Sequence, residues 1–133
     1  MKRKRAFTFF SISSVVLLFG MNSPQYPTGP HNGHIQKTGN YYIEMKNSEQ
    51  EIHAYLLDIK MVPLSNKGIT CETKLIFADS SVLIKHLKPF GNDGFSVGIP
   101  PIPYNYCRIS FTVAGKIVSA GFENRSLIVE KNR

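Results

Sequence analysis

Cys107–Glu123 reads CRISFTVAGKIVSAGFE, and its alternation decides the fold class. Cys107, Ile109, Phe111 and Val113 fall on one side of an extended chain, opposite Arg108, Ser110 and Thr112. Successive side chains of a β-strand point to opposite faces, so this period of two marks a half-buried strand. Ala114-Gly115 then supplies a two-residue turn in which glycine accepts a positive φ. Lys116–Glu123 returns as the second strand of a hairpin.

The same reading extends outward. Ile69, Cys71, Thr73, Leu75 and Phe77 alternate with Thr70, Glu72 and Lys74, which predicts a strand over Ile69–Phe77. Further strands are predicted over Tyr41–Met45, Glu51–Asp58, Ser81–Leu87 and Gly94–Ile99, with a last short one over Leu127–Val129. Asn66-Lys67-Gly68 and Asn92-Asp93-Gly94 are turn signals between them, and Asp58, Asp79 and Asp93 are placed to hydrogen-bond turn backbone. Pro100, Pro101 and Pro103 predict a stiff extended loop over Pro100–Asn105. No long segment carries a 3.6-residue stripe, so the chain reads as an all-β sandwich or barrel.

Upstream, Met1-Lys2-Arg3-Lys4-Arg5 precedes an uncharged run, Ala6–Phe19, of fourteen residues. A basic cluster feeding an apolar stretch shorter than the roughly 20 residues of a spanning helix is the layout of a secretory signal. Residues 1–23 are therefore expected to be a signal peptide or an uncleaved N-terminal anchor, cut after Gly20 or Ser23 in the first case. The expected address is the periplasm or cell envelope, with membrane contact only through that segment. Residues 24–39, rich in Pro, Gly, Asn and His, read as a flexible lead-in, and 40–133 as the domain. The formal charge of +7 shrinks to about +3 once residues 1–23 are set aside, since four of sixteen basic residues lie in 2–5. The remaining lysines are scattered, which argues against nucleic acid as a partner.

Cys71 and Cys107 fall on the inward faces of their predicted strands. In an oxidising compartment an even pair so placed predicts a disulfide, worth about 4 kcal/mol on the chain-entropy argument. Two ligands of a thiolate metal site would want a short CxxC pair, which is missing. Gly94-Phe95-Ser96-Val97-Gly98 has the G-x-S-x-G spacing of a hydrolase elbow, but Ile99-Pro100-Pro101 forbids the helix that must follow. No catalytic set with usable spacing recurs, and the chain reads as non-enzymatic.

Two binding sites are expected. His31 and His34 bracket Asn32-Gly33, and two imidazoles three residues apart could share one copper or zinc ion. Tyr104 and Tyr106 in the proline-bearing loop could form an aromatic surface for a protein partner.

From His31 to Glu123 the chain resembles a family of small immunoglobulin-like envelope domains associated with bacterial heavy-metal efflux systems, including periplasmic adaptor subunits. The residues that carry the resemblance are His31-Asn32-Gly33-His34-Ile35, Gly39-Asn40-Tyr41-Tyr42-Ile43-Glu44, Ala54-Tyr55-Leu56-Leu57-Asp58 and Leu64-Ser65-Asn66-Lys67-Gly68. Leu87-Lys88-Pro89, Gly91-Asn92-Asp93-Gly94-Phe95, Phe111-Thr112-Val113-Ala114-Gly115-Lys116 and Phe122-Glu123 complete it. The family's opening motif reads His-Gly-Gly, and Asn32 stands at its first glycine. The resemblance implies an envelope address and a metal-homeostasis context. The fold expected is an antiparallel immunoglobulin-like β-sandwich of seven or eight strands. The function expected is that of a non-enzymatic envelope accessory domain that binds a protein partner or a soft or borderline metal. The alternative is a structural or adhesive envelope module without a metal role.

Overall fold

The computed structural model describes residues 27–48 and 50–124. The predicted signal segment and the predicted strand Leu127–Val129 lie outside the described residues. Within them the chain is all-β, with eight antiparallel strands: β1 (His34–Thr38), β2 (Tyr41–Asn47), β3 (Glu51–Leu57), β4 (Thr70–Phe77), β5 (Val82–Phe90), β6 (Gly94–Gly98), β7 (Tyr104–Val113) and β8 (Lys116–Glu123). They follow one another around a single sheet in the order β1-β2-β3-β6-β5-β4-β7-β8.

β5 is the corner of that sheet. Its first part, Val82–Leu87, pairs with β4, whereas Lys88–Phe90 pairs with β6. The sheet nearly closes at its other end, where the Gln36 amide of β1 donates to the Gly121 carbonyl of β8 at 3.0 Å. The result is a barrel-like wall and not two unconnected layers. Inside it, Ile43, Met45, Ile52, Leu56, Leu75, Phe95, Ile109, Phe111 and Phe122 form one buried cluster, in which the Phe95 and Phe111 rings meet edge to face. The alternation read from β4 and β7 holds: Cys71, Thr73, Leu75, Cys107, Ile109 and Phe111 are all buried.

Three expectations need correction. Residues 34–38 are not part of a flexible lead-in but form β1, joined to β2 by Gly39-Asn40. Gly39 takes φ +61 at the first central position, as a II′-type hairpin requires. The Ala114-Gly115 turn has positive φ at both positions and is the I′ counterpart.

Cys71 and Cys107 are free thiols. Both point inward from neighbouring strands, but Cys71 faces Phe111 and Cys107 faces Leu75, four register steps apart. That offset is roughly 13 Å along the strand, beyond the reach of a disulfide. Thr73 lies between them, its Oγ1 3.2 Å from Cys107 Sγ. Burial pushes the Cys107 thiol up to about 11, with the Thr73 contact opposing, and raises Cys71 further.

Tyr104 and Tyr106 are not loop residues. Both belong to β7, and a bulge separates them: Ile76 and Phe77 are consecutive on β4, yet they face Tyr106 and Tyr104. The extra residue, Asn105, reverses the alternation. Tyr104 therefore turns into the core, 3% exposed, where its hydroxyl accepts from Asn47 Nδ2 at 3.0 Å. Burial raises its phenol well above the usual tyrosine range.

Candidate functional site

The outer face of β1, β2 and β3 is not solvent-facing throughout. Ile35, Tyr55 and Leu57 are buried there in a second, smaller cluster with Tyr42 packed on it. Glu44 has the same parity as Tyr42 and is fully buried. What covers it is the chain before β1. Pro27 O accepts from Ile35 N, and Gly29 and Gly33 close a tight loop between them, with Asn32 at φ +65.

That loop wraps the Glu44 carboxylate. His31 N and Gly33 N each donate to Oε2 at 2.8 Å, and His31 Nδ1 lies 2.7 Å from Oε1. The glycines make the close approach possible. A Cβ at position 29 would sit 2.6 Å from Glu44 Cδ, and one at position 33 would sit 2.8 Å from Met45 O. A buried carboxylate must be hydrogen-bonded to be tolerated, and this one has three donors.

The second nitrogen of His31, Nε2, lies 3.0 Å from Asp93 Oδ2 in the turn between β5 and β6. Asn66 sets that turn: its Nδ2 donates to Gly91 O and Gly94 O. The imidazole also stacks on Tyr55, with ring centroids 3.6 Å apart and planes 8° from parallel. Tyr55 in turn lies across Gly94, where a Cβ would approach Tyr55 Cε2 to 2.7 Å. Burial raises the Tyr55 phenol, and the charges of Asp93 and Glu44 add to it. Each ring nitrogen of His31 thus faces a carboxylate oxygen. The arrangement is a polar clasp that pins the chain before β1 to β2 and to the β5–β6 turn.

The two histidines of the predicted metal site are held differently. Both nitrogens of His31 already face carboxylates, whereas His34 opens β1, exposed, opposite Met45. Among the described residues no group of three or more His, Cys, Asp or Glu side chains is arranged to hold a metal ion. Asp58 and Asp79 accept turn N–H groups as their positions suggest, and only Asp93 departs to meet His31. Ser96 of the G-x-S-x-G stretch sits mid-strand in β6 opposite His53, whose Nε2 is 2.8 Å from Glu51 Oε1. No hydrogen bond joins Ser96 to His53 among the described residues, and an extended strand offers no paired N–H groups for an oxyanion.

The other predicted binding residue, Tyr106, lies on the outer face of the opposite wall. Its ring crosses Gly121, and Arg108 Nη1 donates to its hydroxyl at 3.3 Å. Register places Ile76 beside it and Val82 beyond, with Arg108, Lys74 and Ile84 in the next row. Val82 and Ile84 are 49% and 53% exposed.

Sequence reasoning missed the partners of His31. The available signals were a carboxylate inside the apolar run Tyr42-Ile43-Glu44-Met45 and a glycine two residues to either side of His31. Comparison with protein-family models, with curated proteins and with solved structures finds no match for this chain.

Proposed function

We infer that the chain is an exported, non-enzymatic accessory domain of the cell envelope that engages a protein partner through the outer face of β5, β4 and β7. The observation that carries this reading is one outer face on which the exposed Val82 and Ile84 of β5 and the Tyr106 and Arg108 of β7 flank Ile76 and Lys74 of β4. Aliphatic side chains half open to solvent next to tyrosine and arginine are the composition of a docking patch. The basic-then-apolar start supports export, and the resemblance to envelope domains of metal-efflux systems supports a metal-homeostasis setting. An immunoglobulin-like arrangement is the finer fold reading kept here, supported by the all-antiparallel pairing of the strands around one core.

Copper or zinc at His31 and His34 would require one ring nitrogen of His31 to give up its carboxylate contact, and the described residues offer no third ligand grouped with them, so the protein-partner reading is preferred. A photo-crosslinking residue placed at position 84 or 106 of the expressed chain tests it. The expected result is a discrete adduct in the envelope fraction from both positions, with none from position 46 on the opposite wall. Adducts equally from position 46, or a chain found only in the cytosol, would overturn the reading.

A further inference from the structure

The face carries a feature that its own fold does not need. Lys74 of β4 and Arg108 of β7 are direct cross-strand neighbours, and both are exposed. Like charges directly opposite in a sheet are destabilising, by an amount on the order of 0.2–1 kcal/mol. Among the described residues no carboxylate stands in ion-pair contact with either cation. The acid next along the same face, Glu72, lies 3.9 Å from His86. Around the two cations the exposed or half-buried side chains are Ile76, Val82, Ile84 and Tyr106.

We propose that the partner presents an acidic, amphipathic segment: carboxylates over Lys74 and Arg108, and an aliphatic side chain against Val82 and Ile84. This rests on the docking face described above and names its chemistry. Three strands about 4.8 Å apart and two rows about 7 Å apart give a patch roughly 10 Å across, the size of a short extended segment. A guanidinium donates to a carboxylate through a two-point fork, and the Tyr106 hydroxyl, which accepts from Arg108 Nη1, orients it. An anionic bilayer fits less well. Two cations contribute about 1 kcal/mol each at a charged membrane surface, and Glu72 and Glu123 on the same face would be pressed against it.

The test is selection from a displayed library of random peptides on the full-length chain, beside Lys74→Glu/Arg108→Glu and Ile84→Asp. The parent is expected to enrich peptides that interleave Asp or Glu with aliphatic residues. A synthetic peptide of that kind should bind about tenfold or more weakly to the charge-reversed chain, and more weakly in high salt. The charge-reversed chain should enrich Lys- and Arg-bearing peptides instead. Acid-free peptides that Ile84→Asp abolishes would overturn the acidic partner and leave the docking face standing. Enrichment that neither variant alters would overturn both. Binding to phosphatidylglycerol vesicles, lost on charge reversal while acidic peptides fail to bind, would replace the protein segment with a membrane. Circular dichroism and a melting curve on each variant separate these outcomes from loss of fold.

Discussion

Replacing Glu44 by alanine removes the acceptor from three donors at once: His31 N and Gly33 N at 2.8 Å and His31 Nδ1 at 2.7 Å. A buried donor left without a partner costs roughly 1–3 kcal/mol, and water entering the vacated space recovers part of it. His31 retains Asp93, which further limits the loss. Breaking one side of a buried ionic cluster typically costs about 3–5 kcal/mol, and that is the expected magnitude for Glu44→Ala. Whole domains are stable by about 5–15 kcal/mol, so the variant stays folded at low temperature and melts on the order of 20 °C lower. Urea unfolding of the parent, Glu44→Ala, His31→Ala and the double variant reads this directly. Of these donors His31→Ala removes only Nδ1, because the backbone N–H of residue 31 remains, so the double variant should lose less than the sum by a coupling of about 1 kcal/mol. A loss below about 1 kcal/mol for Glu44→Ala, or additive losses, would refute the clasp as a stabilising unit.

Two further outcomes follow from the interior. Folding raises both thiols above their ordinary value of about 9, Cys107 to about 11. The folded chain thus retains protons that the unfolded chain releases. This stabilisation is whole below about pH 9 and is lost as pH rises through about 11. Urea midpoints should fall across that window and fall less in Cys71→Ala/Cys107→Ala; equal slopes would contradict the burial argument. Without reductant, iodoacetamide should label neither cysteine in the native chain and both after unfolding, and an unlabelled unfolded chain would restore the disulfide. Gly121→Ala should destabilise by roughly 1–3 kcal/mol by displacing the Tyr106 ring, and Gly121→Ala/Tyr106→Ala should recover part of the loss relative to Tyr106→Ala alone. A melting temperature unchanged by Gly121→Ala would remove that contact from consideration.

Period-two alternation carries local information, and where the structure depends on it the sequence was readable. The strands β4 and β7 follow from it, as does the inward facing of Cys71 and Cys107, while β2, β3, β5, β6 and β8 follow from β-prone runs set between turn signals. Register is not local. Equal parity put the two cysteines on one face, but only the pairing of Cys71 with Phe111 and of Cys107 with Leu75 sets them four steps apart. Tyr104 was misplaced because Pro100, Pro101 and Pro103 argued for a loop up to Asn105, and the bulge that turns Tyr104 inward is set by pairing with β4. β1 escaped because Ile35 is its only apolar residue, although Gly39-Asn40 was a legible hairpin turn. Of the candidate site, His31 was visible and its role was not: its carboxylates come from 13 and 62 residues away. Tyr106 was found for its residue type, while the Lys74–Arg108 juxtaposition needed the register.

The clasp also bears on the order in which the wall is assembled. β1 lies near the start of the chain, yet His31 waits for Asp93, 62 residues on, and Gln36 waits for Gly121, 85 residues on. Contacts spanning such separations form slowly because the intervening loop must close first. The β1–β2 and β7–β8 hairpins, each joined by a two-residue turn, have no such delay. Docking of the segment before β1 onto the β5–β6 turn is therefore expected late in refolding, and protection of the His31 amide as early as that of the two hairpins in a pulse-labelled experiment would count against this order. The closure of the wall thus depends on contacts that span residues 31–121, so a fragment lacking β8 leaves the β1 edge open to pairing with another chain.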